Sequence, residues 1–141
     1  MAVTAELYTK CFLSAFDAEI DLAADTIKVA LCTSSYTPDQ DAHDYFDDIT
    51  NEIAGTGYTA GGEELGSKTQ TATSGTYTFD AADTTWSSAT FTARYAIVYK
   101  DTGVDSTSPL IGYVNFGGDV SPTSSDMTIQ WNASGIFYVT V

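Results

Sequence analysis

Four separated stretches of this chain place apolar side chains at every second residue, and this alternation restricts the fold more than any other feature. Ile27, Val29 and Leu31 alternate with Lys28, Ala30 and Cys32. Tyr95, Ile97 and Tyr99 repeat the pattern, followed by Leu110, Gly112, Val114 and Phe116, and then by Met127, Ile129 and Trp131. Successive side chains of a strand point to opposite faces, so period two marks strands with one face on a core. Tyr77 and Phe79 add a shorter example in a stretch rich in Thr and Tyr, residues that favour strands. Ser74-Gly75, Asp101 to Gly103 and Asn132 to Gly135 are turn signals between these segments. The pattern predicts burial of Ile27, Val29, Leu31, Tyr95, Ile97, Val114, Phe116, Ile129 and Trp131. Gly112, inside an alternating run, predicts a bulge or a close backbone approach. The closing sequence DMTIQWNASGIFYVTV predicts a terminal hairpin that turns at Asn132 to Gly135.

The N-terminal stretch has a different period. Leu7, Tyr8, Cys11, Phe12, Ala15, Phe16 and Ile20 recur at helical spacing, which predicts a helix over residues 4–20. Thr4 is its expected N-cap, and Glu6 and Lys10 stand four apart in the favourable order. Its apolar stripe is expected to pack on the chain's own sheet, the alternative being another subunit. A short helix is expected within Asp41 to Ile53, with Tyr45, Phe46 and Ile49 as its apolar face, and GTGYTAGG is a flexible connection. Together these elements predict a mainly β protein: a β-sandwich or small β-barrel with an N-terminal α-helix. With 141 residues and no internal repeat, residues 1–141 are expected to form a single domain.

The formal charge is −14, with only five Lys and Arg together. That argues against nucleic acid, whose phosphates require cations, and against an anionic membrane surface. No run is long enough for a transmembrane helix, and the N-terminus lacks the basic region of a signal peptide. Cys11 and Cys32 lack CxxC spacing and are expected to be two small buried side chains.

The acidic stretch TPDQDAHDYFDDITNE holds the only histidine, His43, among Asp39, Asp41, Asp44, Asp47 and Asp48. A calcium loop of the EF-hand type needs oxygen ligands at positions 1, 3 and 5, glycine at 6 and a carboxylate at 12. Counted from Asp39, His43 falls at position 5, Asp44 replaces the glycine and Thr50 replaces the final carboxylate, so the pattern fails. A general base needs a positioned nucleophile and an orienting group, and neither a GxSxG elbow nor an HExxH motif is present. The stretch therefore reads as a solvated acidic loop, with Asp39, Asp41, His43, Asp44, Asp47 and Asp48 as a candidate interaction loop. No catalytic residue, metal ligand or cofactor is expected. The aromatic residues read chiefly as core, and Asn132-Ala133-Ser134 as a turn rather than a glycosylation site.

The strings DTIKVALCTSSYTPDQDAHDYFDDITNEIAGTGYTAGG, ARYAIVYKDTG, PLIGYVNFGG and TIQWNASGIFYVTV resemble a family of short acidic structural proteins of tailed bacteriophages, of the head-decoration or head-fibre kind. The resemblance spans about residues 20–141 and carries over no catalytic or ligand residue. It implies a non-enzymatic component of the virion. The expected role is a capsid decoration or cement protein on the capsid surface, bound to the outer face of the major capsid protein. Neighbouring copies of itself are further expected partners, as a homo-oligomer on the virion. The alternative is a tail or fibre component that recognises a host surface.

Overall fold

The computed structural model describes residues 2–141. The chain is mainly β, and the described residues form antiparallel sheets, one short α-helix near the N-terminus and no closed barrel. Strands β1 (Thr4–Leu7), β2 (Ile27–Cys32), β3 (Glu63–Glu64), β7 (Ala93–Lys100) and β8 (Leu110–Val120) form a five-stranded sheet in the order β1-β8-β7-β2-β3. A three-stranded sheet holds β4 (Thr69–Thr73), β5 (Thr76–Asp80) and β10 (Phe137–Thr140), ordered β10-β5-β4. A third sheet pairs β6 (Thr84–Ala89) with β9 (Ser125–Ile129). Helix α1 spans Cys11–Phe16.

Both faces of the large sheet are covered, because the pleat sends alternate side chains to two cores. Ile27, Val29, Leu31, Ala96 and Val98 face the small sheets, where they meet Phe79, Trp86, Met127 and Ile129. Ala30, Cys32, Ile97 and Tyr99 face the other way, into a second core with Tyr8, Tyr36, Phe46 and Leu110. This sandwich-like layering is the architecture that the alternation predicts. Five of the nine expected core residues are buried: Ile27, Val29, Leu31, Ile97 and Ile129. Tyr95, Val114, Phe116 and Trp131 are only half-buried. Val114, Phe116 and Trp131 border an open groove of about 490 Å³ between β8 and β9.

Gly112 both marks a bulge and permits a close approach. Val98 pairs with Gly112 and Tyr99 with Leu110, so Ile111 is an extra residue in β8. The bulge turns Leu110 toward the second core while Ile111 and Val114 stay in the first, so Leu110 does not share a face with Val114 and Phe116 as expected. A Cβ on Gly112 would lie 2.8 Å from the Glu6 carbonyl oxygen, on the neighbouring strand β1.

Three other expectations are corrected. Residues 4–20 are not one helix: Thr4–Leu7 is an edge strand on β8, and only Cys11–Phe16 is α-helical. The free edge of β8 supplies ladder hydrogen bonds, extended by Tyr8 N–H to the Ile111 carbonyl at 3.0 Å, and tertiary pairing overrides a weak local preference. Thr4 therefore caps nothing, and Lys10 occupies the N-cap position without a side-chain cap bond. Lys10 meets Asp44 rather than Glu6. Second, Asp41 to Ile53 contains a single 3-10 turn, Phe46–Asp48, because Tyr45 bridges to Pro109 in extended geometry.

Third, the C-terminal segment is not a hairpin. The turn exists, with Gly135 N–H donating to the Asn132 carbonyl at 2.8 Å, but it sends the chain from one sheet to another. β9 pairs with β6 and β10 with β5. Trp131 N–H leaves the ladder and donates to Asp83 Oδ1 at 3.0 Å. By contrast, Ser74-Gly75 is the expected tight turn: both residues have positive φ (51° and 77°), as a primed hairpin turn requires.

Candidate functional site

The acidic stretch forms the layer that closes the second core. Phe46 and Tyr36, the residue just before the stretch, anchor it; both are buried, and the Phe46 ring stacks on Tyr99 at 4.1 Å between centroids. Phe46 N–H donates to the Ser108 carbonyl at 2.9 Å, and Leu110 N–H donates to the Asp44 carbonyl at 2.8 Å. These bonds tie the layer to the loop before β8. The stretch is therefore a packed cover with a polar outer side rather than a freely solvated loop.

Its histidine belongs to a line of hydrogen bonds that starts in the core. Asp39 N–H donates to His43 Nδ1 at 3.3 Å, so Nδ1 is the acceptor and the imidazole proton is assigned to Nε2. Tyr36 Oη then donates to Nδ1 at 2.9 Å, and Tyr8 Oη donates to Tyr36 Oη at 2.8 Å. Burial, reinforced by the bond to Tyr36, pushes the Tyr8 hydroxyl far above the ordinary tyrosine range. Burial raises the Tyr36 hydroxyl as well. Both phenols stay protonated, as donors in this line must. The arrangement positions the loop; His43 faces tyrosine and backbone here, with no serine or cysteine nucleophile among these partners.

The carboxylates are similarly occupied. Asp39 is exposed and caps a turn, Oδ1 accepting from Ala42 N–H at 2.9 Å and Asp41 N–H at 3.2 Å. Those two amides hold its carboxyl below the usual range. Asp41 Oδ1 accepts from the Thr9 hydroxyl at 2.7 Å. Asp44 forms an ion pair with Lys10 at 3.3 Å. Asp48 Oδ2 accepts from Asp44 N–H at 2.9 Å. Burial raises the Asp48 carboxyl, but the amides of Asp44 and Tyr45 outweigh it and hold the group low. Asp47 points to solvent. Among the described residues, no three His, Cys, Asp or Glu side chains converge as a metal site.

Two features lay outside the sequence reading. Glu52 Oε1 accepts from Tyr58 Oη and from Gly61 N–H, both at 2.6 Å, while Tyr58 Oη accepts from Leu31 N–H at 3.0 Å. This network moors GTGYTAGG to β2, and no local pattern separates Glu52 from the other acidic residues. The second feature is α1. It buries Cys11 and Ser14, leaving Phe12, Leu13 and Phe16 exposed at 40, 63 and 88%. The helical stripe was legible in the sequence; the direction it faces was not. Cys11 and Cys32 are free and buried, and burial pushes their thiols up to about 11 and about 12.

The surface charge is one-sided. Lys10, Lys28, Arg94 and Lys100 pair with Asp44, Asp101, Asp119 and Asp25, and Lys68 donates to the Asp25 carbonyl. All five cations are thus committed internally, whereas four of 19 acidic side chains share these pairs. Comparison with protein-family models, with curated proteins and with solved structures found no match to this chain.

Proposed function

We propose that this chain is a non-enzymatic structural protein of a tailed-phage virion. In this reading it is a capsid decoration or cement protein that binds the outer face of the major capsid protein and bridges neighbouring capsomers. Copies brought side by side by the shell's symmetry gain from many weak contacts at once. The resemblance supplies the setting. The observation that carries the binding role is the exposed apolar side of α1, on a chain whose acidic loop is occupied in holding its own fold. Contiguous exposed apolar surface is characteristic of protein contact sites.

The test is the composition of purified virions of the encoding phage. The chain should approach the abundance of the major capsid protein, and virions lacking it should assemble but rupture at a lower temperature. Absence from virions would overturn the reading.

A tail or fibre role is the second reading, favoured by the outer face of the three-stranded sheet. Tyr138, Thr78 and Thr71 lie in register across β10, β5 and β4, with Tyr138 exposed beside Thr69 and Asp80. An exposed ring among hydroxyls and a carboxylate suits the apolar face and hydroxyls of a host sugar. Labelling confined to the tail, at low copy number, would select this reading.

A further inference from the structure

We propose that α1 and the groove beside it form the docking face for a partner protein that presents an apolar ridge bordered by Lys or Arg. The proposal rests on the binding role above and names its surface and the chemistry of its partner. Phe12, Leu13 and Phe16 are exposed on the helix, and a groove of about 520 Å³ opens along it with Phe12 in its lining. Its walls are apolar: Cys11, Ala15 and Ile20 on one side, Tyr77, Phe137 and Val139 on the other. A ridge entering this groove would bury its own apolar side chains together with those of α1, the pattern of an interface core.

Charge selects the occupant. Asp21 lines the groove, while Asp17 and Glu19 follow directly after the helix, all three exposed. None of the three carboxylates is in an ion pair among the described residues; Lys100 and Lys68 reach this border at the Glu19 and Asp25 backbone carbonyls, but the ion pair of Lys100 is with Asp25. The apolar patch therefore has an acidic border, Asp17, Glu19, Asp21 and Asp25, which Lys68 and Lys100 only partly compensate. A second copy would bring the same acidic border against this one, and like charges at an interface rim disfavour association. An anionic lipid surface meets the same repulsion. A protein with a basic rim meets attraction, which steers encounter and fixes orientation.

The test uses the full chain and two synthetic amphipathic helices with identical leucine faces, one flanked by lysines and the other by glutamates. Amide shifts are followed by NMR, and affinity by fluorescence anisotropy. The lysine-flanked peptide should bind with shifts centred on Phe12, Leu13, Phe16 and Tyr77, and more weakly as salt is raised. The glutamate-flanked peptide should not bind. Phe16→Ser and Leu13→Ser, at exposed positions, should keep the melting temperature and each weaken binding about tenfold. Shifts centred on Asp39 to Asp48, unchanged affinity in both variants, or no binding would overturn the proposal. So would concentration-dependent self-association, or adsorption to zwitterionic phosphatidylcholine vesicles, abolished by Phe16→Ser. Virion rebinding separates the two readings: a chain present in virions that rebinds normally as Phe16→Ser defeats this inference alone. A chain absent from virions that binds the peptide at α1 defeats only the virion role.

Discussion

Gly62 lies so close to Val29 that a Cβ would stand 1.9 Å from the Val29 carbonyl oxygen. Its φ of 80° also lies in the left-handed region. Both conditions exclude a side chain, so GTGYTAGG is glycine-rich for contact as much as for flexibility. Gly62→Ala should cost more than about 2 kcal/mol by urea unfolding, since clash and backbone strain add. Gly118→Ala, where an added Cβ meets nothing within 4 Å, is the control and should stay within about 1 kcal/mol of wild type. Equal effects would show that the contact with Val29 is not limiting.

Glu52 should matter through its two donors. Glu52→Ala leaves Tyr58 Oη and Gly61 N–H without their acceptor and should cost about 1–3 kcal/mol. Glu52→Gln keeps a carbonyl oxygen and should cost less. A double-mutant cycle with Tyr58→Phe should show coupling of at least about 0.5 kcal/mol. Strict additivity would dissolve the proposed network.

Acid should remove the contribution of Asp101. The hydrogen bond from Lys28, at 2.6 Å, is the main cause holding its carboxyl below the ordinary range. Because the folded pKa lies below an unfolded value of about 3.9, acid favours the unfolded state at this group. The stability is complete above that value and is lost as pH falls through the folded pKa. Asp101→Asn should therefore lower the urea midpoint at pH 7, and the gap to wild type should close as pH drops below about 4. A gap independent of pH would mean that charge is not what Asp101 contributes.

The second core should be as critical as the first. Ile97 is fully buried on the face that the acidic stretch covers, and Ile97→Ala should cost about 2–5 kcal/mol. Trp86 is buried in the first core, and its Nε1 is a buried donor without a partner. Trp86→Phe loses volume but also removes that unpaired donor, so it should be far milder than Trp86→Ala, which should cost about 3–5 kcal/mol. Equal losses would mean that the indole N–H is satisfied in solution.

Calcium should leave thermal stability unchanged. Asp39, Asp41, Asp44 and Asp48 already serve internal donors, and a cation would have to displace them. Differential scanning calorimetry with calcium and with chelator should give one melting temperature. A rise of many degrees with calcium would reveal a site, because a ligand of the folded state alone must stabilise it.

Periodicity made much of the scaffold legible. Ile27, Val29 and Leu31, or Ile97 between Tyr95 and Tyr99, announce strands because successive side chains of a strand alternate between two faces, here one toward each core. Ser74-Gly75 announced its turn because few residues accept positive φ. The absence of a calcium-loop pattern around His43 was equally plain. These properties were determined by the sequence alone, because each depends on residues within a few positions of one another. Partnership was not. β9 and β10 joined different sheets, residues 4–7 became a strand, and the acidic stretch became a cover over Ile97 and Tyr99. Each outcome was decided by hydrogen-bond edges and apolar surface brought close from distant parts of the chain. Leu7 shows the limit: its spacing to Cys11 suited a helix, but the open edge of β8 offered backbone partners that only the folded sheet could supply.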